Sequence, residues 1–355
     1  MDGTHIRRRR APAVAALLLG TALAAALVAS CADSAESPGP RPEEGSAASL
    51  TPTDPDDDPL TVVTETTRLV DVMAAPEFAG FGDVIFPSSD RIAAEMTIAD
   101  VDRLLPFHSN IRGSEVAVTL NEMLAGVREG TVTFHQIYSE EEIAADAAKA
   151  EVVLFHFRGE DGAPIGIASP GGGFSYVGSI HEGFPYAQTM VEHGVNGFVL
   201  NYRVGGGGVP ATEDLAHAID YIFENQEAFG VSTAGYSLWG SSAGARMAAN
   251  LGSYGTAAFG ATDRPRPAAV IMAYTGHSDY TANDPATFAV VGSQDRIASP
   301  ATMRTRIDNL ARTGIATEFH LFDGVGHGFG LGTGTVAEGW VDDAMRFWTQ
   351  QIDER

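Results

Sequence analysis

The chain has 355 residues, 44% of them hydrophobic, and a formal charge of −24 at pH 7 from 46 acidic against 22 basic side chains. That length and apolar content fit one large or two small domains with a sizeable core. The charge excludes nucleic acid and anionic lipid as electrostatic partners, and a single cysteine, Cys31, excludes an intrachain disulfide.

Arg7, Arg8, Arg9 and Arg10 precede an Ala- and Leu-rich run that ends Val28-Ala29-Ser30-Cys31. A basic start, an apolar stretch and small residues at its end predict a secretory signal over residues 1–30. The ending resembles the lipobox of bacterial lipoproteins. That resemblance implies export, lipidation of Cys31 and a membrane contact made only through this lipid. The arginine pairs lack the rest of a twin-arginine pattern. Residues 31–60 are rich in Ser, Pro, Ala, Asp and Glu and close on Asp54-Pro55-Asp56-Asp57-Asp58-Pro59. They cannot bury enough apolar surface to fold and read as a disordered acidic tether.

Residues 61–125 form an N-terminal extension expected to pack on the main domain. Phe78, Phe81, Val84, Ile85 and Phe86 make an apolar cluster. Ile98, Val101, Leu104 and Leu105 have helical spacing, as do Val116, Leu120 and Leu124. From residue 126 the pattern changes. Strand-like runs rich in β-branched and aromatic residues fall at 131–137, 151–157 and 164–169. Then come a helix at 184–193, a strand at 197–202 and a helix face marked by Leu215, Ile219, Ile222 and Phe223. A short strand over 236–239 leads to a helix over 245–251. Strands at 268–274 and 287–291, a helix at 303–311 and a strand at 317–322 follow. The last helix carries Trp340, Ala344, Phe347 and Trp348 on one side. This alternation predicts an α/β domain over 126–355, a mostly parallel sheet with helices on both faces. The early strands, too close for intervening helices, predict an antiparallel start. There is no internal repeat.

The chemistry centres on Gly240-Ser241-Ser242-Ala243-Gly244, placed between a strand and a helix. A turn that sharp would bring side chains into collision at the positions two before and two after Ser242, so both must be small. A serine hydroxyl is a weak nucleophile at neutral pH and needs a base. His327, in Gly324-Val325-Gly326-His327-Gly328-Phe329-Gly330 after the last strand, is the candidate. Asp295, in the loop after strand 287–291, is the carboxylate expected to orient it, with Asp279 and Asp323 as rivals. The loop Pro170-Gly171-Gly172-Gly173-Phe174 follows a strand and lets backbone N–H groups approach a substrate. Gly172 and Gly173, with Ala243 after the nucleophile, are the expected oxyanion hole.

The segments PGGGF, GSSAG, GSQD and GVGHGFG together resemble the α/β-hydrolase esterases grouped with acetyl xylan esterases and bifunctional acetyl-feruloyl esterases. SPGGGFSYVGSIHEGFP and HLFDGVGHGFG are the most specific points of likeness. Pro170 stands where the HGGG loop of esterases has histidine. The order Ser242, Asp295, His327 is that of the α/β-hydrolases. The resemblance implies an α/β-hydrolase fold and metal-free hydrolysis of esters on plant polysaccharide, a small-molecule or oligosaccharide substrate. It does not reach residues 61–125. No HExxH, cysteine pair or EF-hand loop is present, so neither a metal nor another cofactor is expected. Phe174, Tyr176, Trp239 and Phe329 are the expected substrate contacts; His181, Glu182, Tyr202, Arg203, Tyr274 and His277 lie near the same loops. Two other readings share these residues: a serine peptidase of the same fold, and a surface-binding lipoprotein with an inactive hydrolase core.

Overall fold

β-Branched and aromatic runs become strands, and the 3.6-residue apolar repeats between them become helices. The structure, a computed structural model, describes residues 60–354. The expected signal, Cys31 and all but the last residue of the expected tether lie outside these residues. In chain order the elements are α1 (Leu69–Met73), a series of 3₁₀ turns, α2 (Gly113–Glu129), β1 (Val132–Gln136), α3 (Glu140–Ala145), β2 (Val153–Phe157) and β3 (Pro164–Ser169). Then come α4 (Phe184–Glu192), β4 (Asn196–Asn201), α5 (Gly208–Glu224), α6 (Gln226–Phe229), β5 (Ser232–Ser241) and α7 (Ala243–Tyr254). The chain ends with β6 (Ala269–Ala273), β7 (Ala286–Gly292), α8 (Pro300–Arg312), β8 (Thr317–Phe322) and α9 (Trp340–Asp353).

Eight strands form one sheet in the order β1-β2-β4-β3-β5-β6-β7-β8. β2 runs antiparallel to both β1 and β4, and every other pairing is parallel. The antiparallel start is as the short spacing predicts, although six-residue α3 does fit between β1 and β2. Chain direction across the sheet reverses around β3: β4 lies on one side of it and β5 on the other. Crevices for ligands form at the carboxyl ends of strands flanking such a switch point. The loop after β3 carries the three glycines, and the turn after β5 carries Ser242.

β6 and β7 are buried on both faces, as central parallel strands are. α9 buries Trp340, Ala344, Phe347 and Trp348, and the Trp348 ring meets the Trp239 ring edge-on at 6.4 Å. The extension packs on the other flank. Phe78 and Phe81 lie against Phe134 of β1 at 5.9 and 5.3 Å, and Phe134 lies against Phe155 of β2 at 5.3 Å. α2 turns Val116, Leu120 and Leu124 inward and runs across position 125, where the extension was expected to end. The apolar repeat at 98–104 forms a 3₁₀ helix, Ile98–Leu104, rather than an α-helix. Ile98, Val101 and Leu104 are spaced by three, and three residues per turn stack them on one buried side. Among the described residues no helix is long and apolar enough to cross a membrane.

Candidate active site

β5 ends at Ser241 and α7 begins at Ala243, so Ser242 makes the whole turn. Its backbone lies at φ 49°, ψ −109°, a conformation costly for a residue with a side chain and held by its surroundings. The Ser242 N–H donates to the Ala273 carbonyl at the end of β6, 2.9 Å away. The two flanking glycines are sterically required. A Cβ on Gly240 would lie 2.3 Å from the Gly244 carbonyl, and one on Gly244 would lie 1.8 Å from the Ser169 carbonyl. The second collision is with the end of β3 rather than with residue 240, so the turn is wedged between two strands.

The imidazole of His327 joins Ser242 to Asp295. His327 Nδ1 donates to Asp295 Oδ2 at 2.7 Å, and Nε2 lies 3.0 Å from Ser242 Oγ. Because Nδ1 carries the proton shared with the carboxylate, Nε2 is the lone pair facing the hydroxyl. Asp295 is fixed in turn. Its Oδ1 accepts the N–H groups of Ile297 and Ala298 at 2.8 and 2.7 Å, and its side chain is shielded from solvent. The rivals are engaged elsewhere. Asp323 accepts from Ser293 Oγ and Asp279 from the Tyr254 hydroxyl. Gly292, at the end of β7, lets the histidine loop close in, since a Cβ there would lie 2.1 Å from the Val325 carbonyl.

The glycine loop passes beside this pair. Gly172 and Gly173 have φ values of 140° and 64°, which glycine adopts freely, and Phe174 follows at 58°, a left-handed conformation unusual for a bulky residue. A Cβ on Gly171 would lie 3.0 Å from Ser242 Cβ. The Gly171 N–H donates to Glu182 Oε2 at 2.6 Å and is unavailable to a substrate. The N–H groups of Gly172 and Gly173 have no acceptor among the described residues, and the Ala243 N–H, at the first position of α7, has none within its helix. Gly173, Phe174, Ser242 and Ala243 share one open cleft of about 550 Å³, whose far wall is Thr275, Gly276, His277, Ser278 and Asp279.

Three of the expected substrate contacts lie elsewhere. Trp239 is fully buried inside β5 with its Nε1 on Ser237 Oγ. Phe329 is fully buried against Tyr274 and Phe322. Both rings are taken up by core partners, Trp239 by Trp348 and Phe329 by Trp340 of α9. Tyr176 is also buried and faces the extension: its hydroxyl accepts the Phe107 N–H at 3.1 Å and meets His108 Nδ1 at 2.9 Å. Tyr202 donates to the Pro170 carbonyl behind the glycine loop. Arg203 is tied to Asp146, Glu213 and Asp214. Phe174 and His277 do face the cleft.

The residues that motif reading missed come from the extension. Ser109 donates from Oγ to the His327 carbonyl at 2.7 Å and from its N–H to the Gly328 carbonyl at 2.9 Å. His108 Nε2 lies 3.1 Å from Glu182 Oε1, with both side chains buried. Glu182 sits in a π-helical turn, Ser179–Gly183, a local widening often found at functional sites. Its Oε1 also accepts from the Tyr274 hydroxyl at 2.7 Å. Burial pushes the Glu182 carboxyl up, but the His108 and His181 imidazoles and the Tyr274 hydroxyl outweigh it and bring the group down to about 2. Burial holds His181 near 4, and its Nε2 lies 3.1 Å from the Gly328 carbonyl. The loop bearing His327 is therefore clasped from both sides. No motif in Pro106-Phe107-His108-Ser109 announces this. Among the described residues no group of three or more His, Cys, Asp or Glu could hold a metal ion.

No family model matches the chain. The acetylxylan esterase of Xylanibacter ruminicola is 27% identical over 105 residues, which is 29% of this chain and 22% of that protein. The chain thus matches about a fifth of the length of that relative. An α/β-hydrolase enzyme from a Medee basin deep-sea metagenome library superimposes with a TM-score of 0.53 at 22% identity, over 62% of this chain and 98% of its own. An acetyl ester-xyloside bifunctional hydrolase from Caldicellulosiruptor lactoaceticus gives a TM-score of 0.54 at 20% identity, over 61% and 96%. With the sheet order and the turn at Ser242, these likenesses establish that the chain has the α/β-hydrolase fold.

Proposed function

We propose that the chain is an exported serine esterase that hydrolyses carboxylic esters on carbohydrate, acetyl or feruloyl groups foremost. The observation that carries this reading is the continuous hydrogen-bonded path Asp295–His327–Ser242. Ser242 Oγ attacks the ester carbonyl and passes its proton to His327 Nε2. Asp295 holds the imidazole in the tautomer that can accept it and stabilises the imidazolium that forms. The carbonyl oxygen becomes an oxyanion held by the N–H groups of Gly172, Gly173 and Ala243, each worth about 3 kcal/mol of barrier. Collapse breaks the ester bond, and the leaving alcohol takes the proton from His327. Water then attacks the acyl-enzyme, gives a proton to His327 and releases the acid, and Ser242 regains its hydrogen. Carbohydrate as the alcohol is supported by the likeness to an acetylxylan esterase and an acetyl ester-xyloside hydrolase and by the polar far wall of the cleft. Export and a lipid on Cys31 rest on residues 1–31 alone.

Turnover of para-nitrophenyl acetate by wild type and Ser242→Ala tests the reading. The substitution is expected to cut kcat about 10⁶-fold and to abolish labelling by a fluorophosphonate, with the far-UV spectrum unchanged. An alanine variant that keeps its turnover would end the proposal.

A further inference from the structure

The cleft over Ser242 carries a single guanidinium among its lining residues. Arg246 lies one helical turn beyond Ser242 on α7, exposed and lining the cleft, with no carboxylate partner among the described residues. Arg203, Arg264 and Arg306, by contrast, each hold carboxylates. Asn250, one turn further along α7, lines the same wall. Across the cleft, His277 Nε2 is buried with no hydrogen-bond partner among the described residues. A buried polar nitrogen left unpaired is costly, and a ligand that accepts from it recovers that loss. Burial first, then the Arg306 and Arg246 charges, hold this imidazole near 4, so it is neutral at physiological pH. Asp279 is the one acid on the cleft wall. Its carboxylate already accepts the Tyr254 hydroxyl and the Tyr280 N–H. What remains without a partner among the described residues is a guanidinium and a carboxamide on the cleft wall and, beneath the surface, the buried Nε2 of His277.

These groups complement a carboxylate. We propose that Arg246 and His277 form a carboxylate-binding subsite beside Ser242, so that the preferred esters carry a carboxylate near the ester bond. The inference rests on the serine-esterase reading above. Residues one turn apart on a helix have Cβ atoms about 6 Å apart, which sets the reach between the attacked carbonyl and the charge. An acylated acidic sugar meets this requirement on the alcohol side, and a dicarboxylic half-ester meets it on the acyl side.

The test compares kcat/KM within pairs that differ in one carboxylate. On the alcohol side, para-acetoxybenzoate is set against its methyl ester. On the acyl side, the para-nitrophenyl half-ester of adipic acid is set against para-nitrophenyl hexanoate. The charged member of one pair is expected to lead by about tenfold, the size of a hydrogen bond to a charged group. That ratio is expected to fall about tenfold in Arg246→Gln, to survive in part in Arg246→Lys and to rise in Asp279→Asn. The pair that shows the lead identifies the side. Equal handling of charged and neutral members, or a ratio unmoved in Arg246→Gln, overturns the subsite while turnover of the neutral esters keeps the esterase reading. No turnover of any ester overturns both.

Discussion

Two regions meet at His327 and behave differently. The loops at the carboxyl ends of β3, β5, β7 and β8 supply Gly172, Gly173, Ser242, Asp295 and His327 from residues whose types the proposed chemistry dictates. The extension, residues 60–129, supplies Ser109 and His108, whose roles follow from what they touch. Ser109 grips two carbonyls of the histidine loop, and His108 meets, through Nε2, a buried carboxylate that is itself anchoring Gly171. A reacting group must be one of a few side chains at a set distance. A bracing group can be any donor that reaches a carbonyl.

This contrast gives three tests. The largest effect is expected within the loops: Asp295→Asn should lower kcat about 10⁴-fold, because the imidazole is then held in the wrong tautomer. Its thermal midpoint should stay near that of wild type, and a large fall would mean that the carboxylate is chiefly a brace. The next effect lies in the extension. His108→Ala removes the imidazole 3.1 Å from buried Glu182 Oε1, and a buried polar oxygen stripped of a partner costs about 1–3 kcal/mol. Urea unfolding should show a lower midpoint, and the surviving folded enzyme should turn over more slowly because the glycine and histidine loops lose their clasp. An unchanged midpoint would break the comparison. The smallest effect concerns pH. Glu182 has a folded value near 2, below its ordinary 4.5. The stability it contributes is therefore complete above about 4.5 and drains away as the pH falls toward 2. Glu182→Gln should flatten the acid limb of a stability–pH curve over that window, and a limb of unchanged slope would remove this role for Glu182.

Much of the domain could be read before any coordinates. β3 and β8 have the boundaries expected of them, the face of α9 is the one its tryptophans marked, and the antiparallel start followed from connection length. The short motifs were legible because glycine is the one residue that fits at 240, 244 and 292. Rings were harder. Trp239 and Phe329 have the composition of a sugar platform but lie in the core, because period and residue type do not say which face of a strand meets the cleft. Tyr176 likewise turned to the extension.

The sequence by itself determined the alternation of strands and helices, the glycine turns, and the set of nucleophile, base and acid candidates, since each depends on local sterics or on a fixed chemical need. Tertiary structure alone decided which glycine amide is already used, which aspartate meets the histidine, that residues 106–110 clasp the His327 loop, and that Arg246 stands unpaired beside Ser242. Those are facts of distance between segments far apart in the chain, and a hydrogen bond or an ion pair is made or lost within about an ångström.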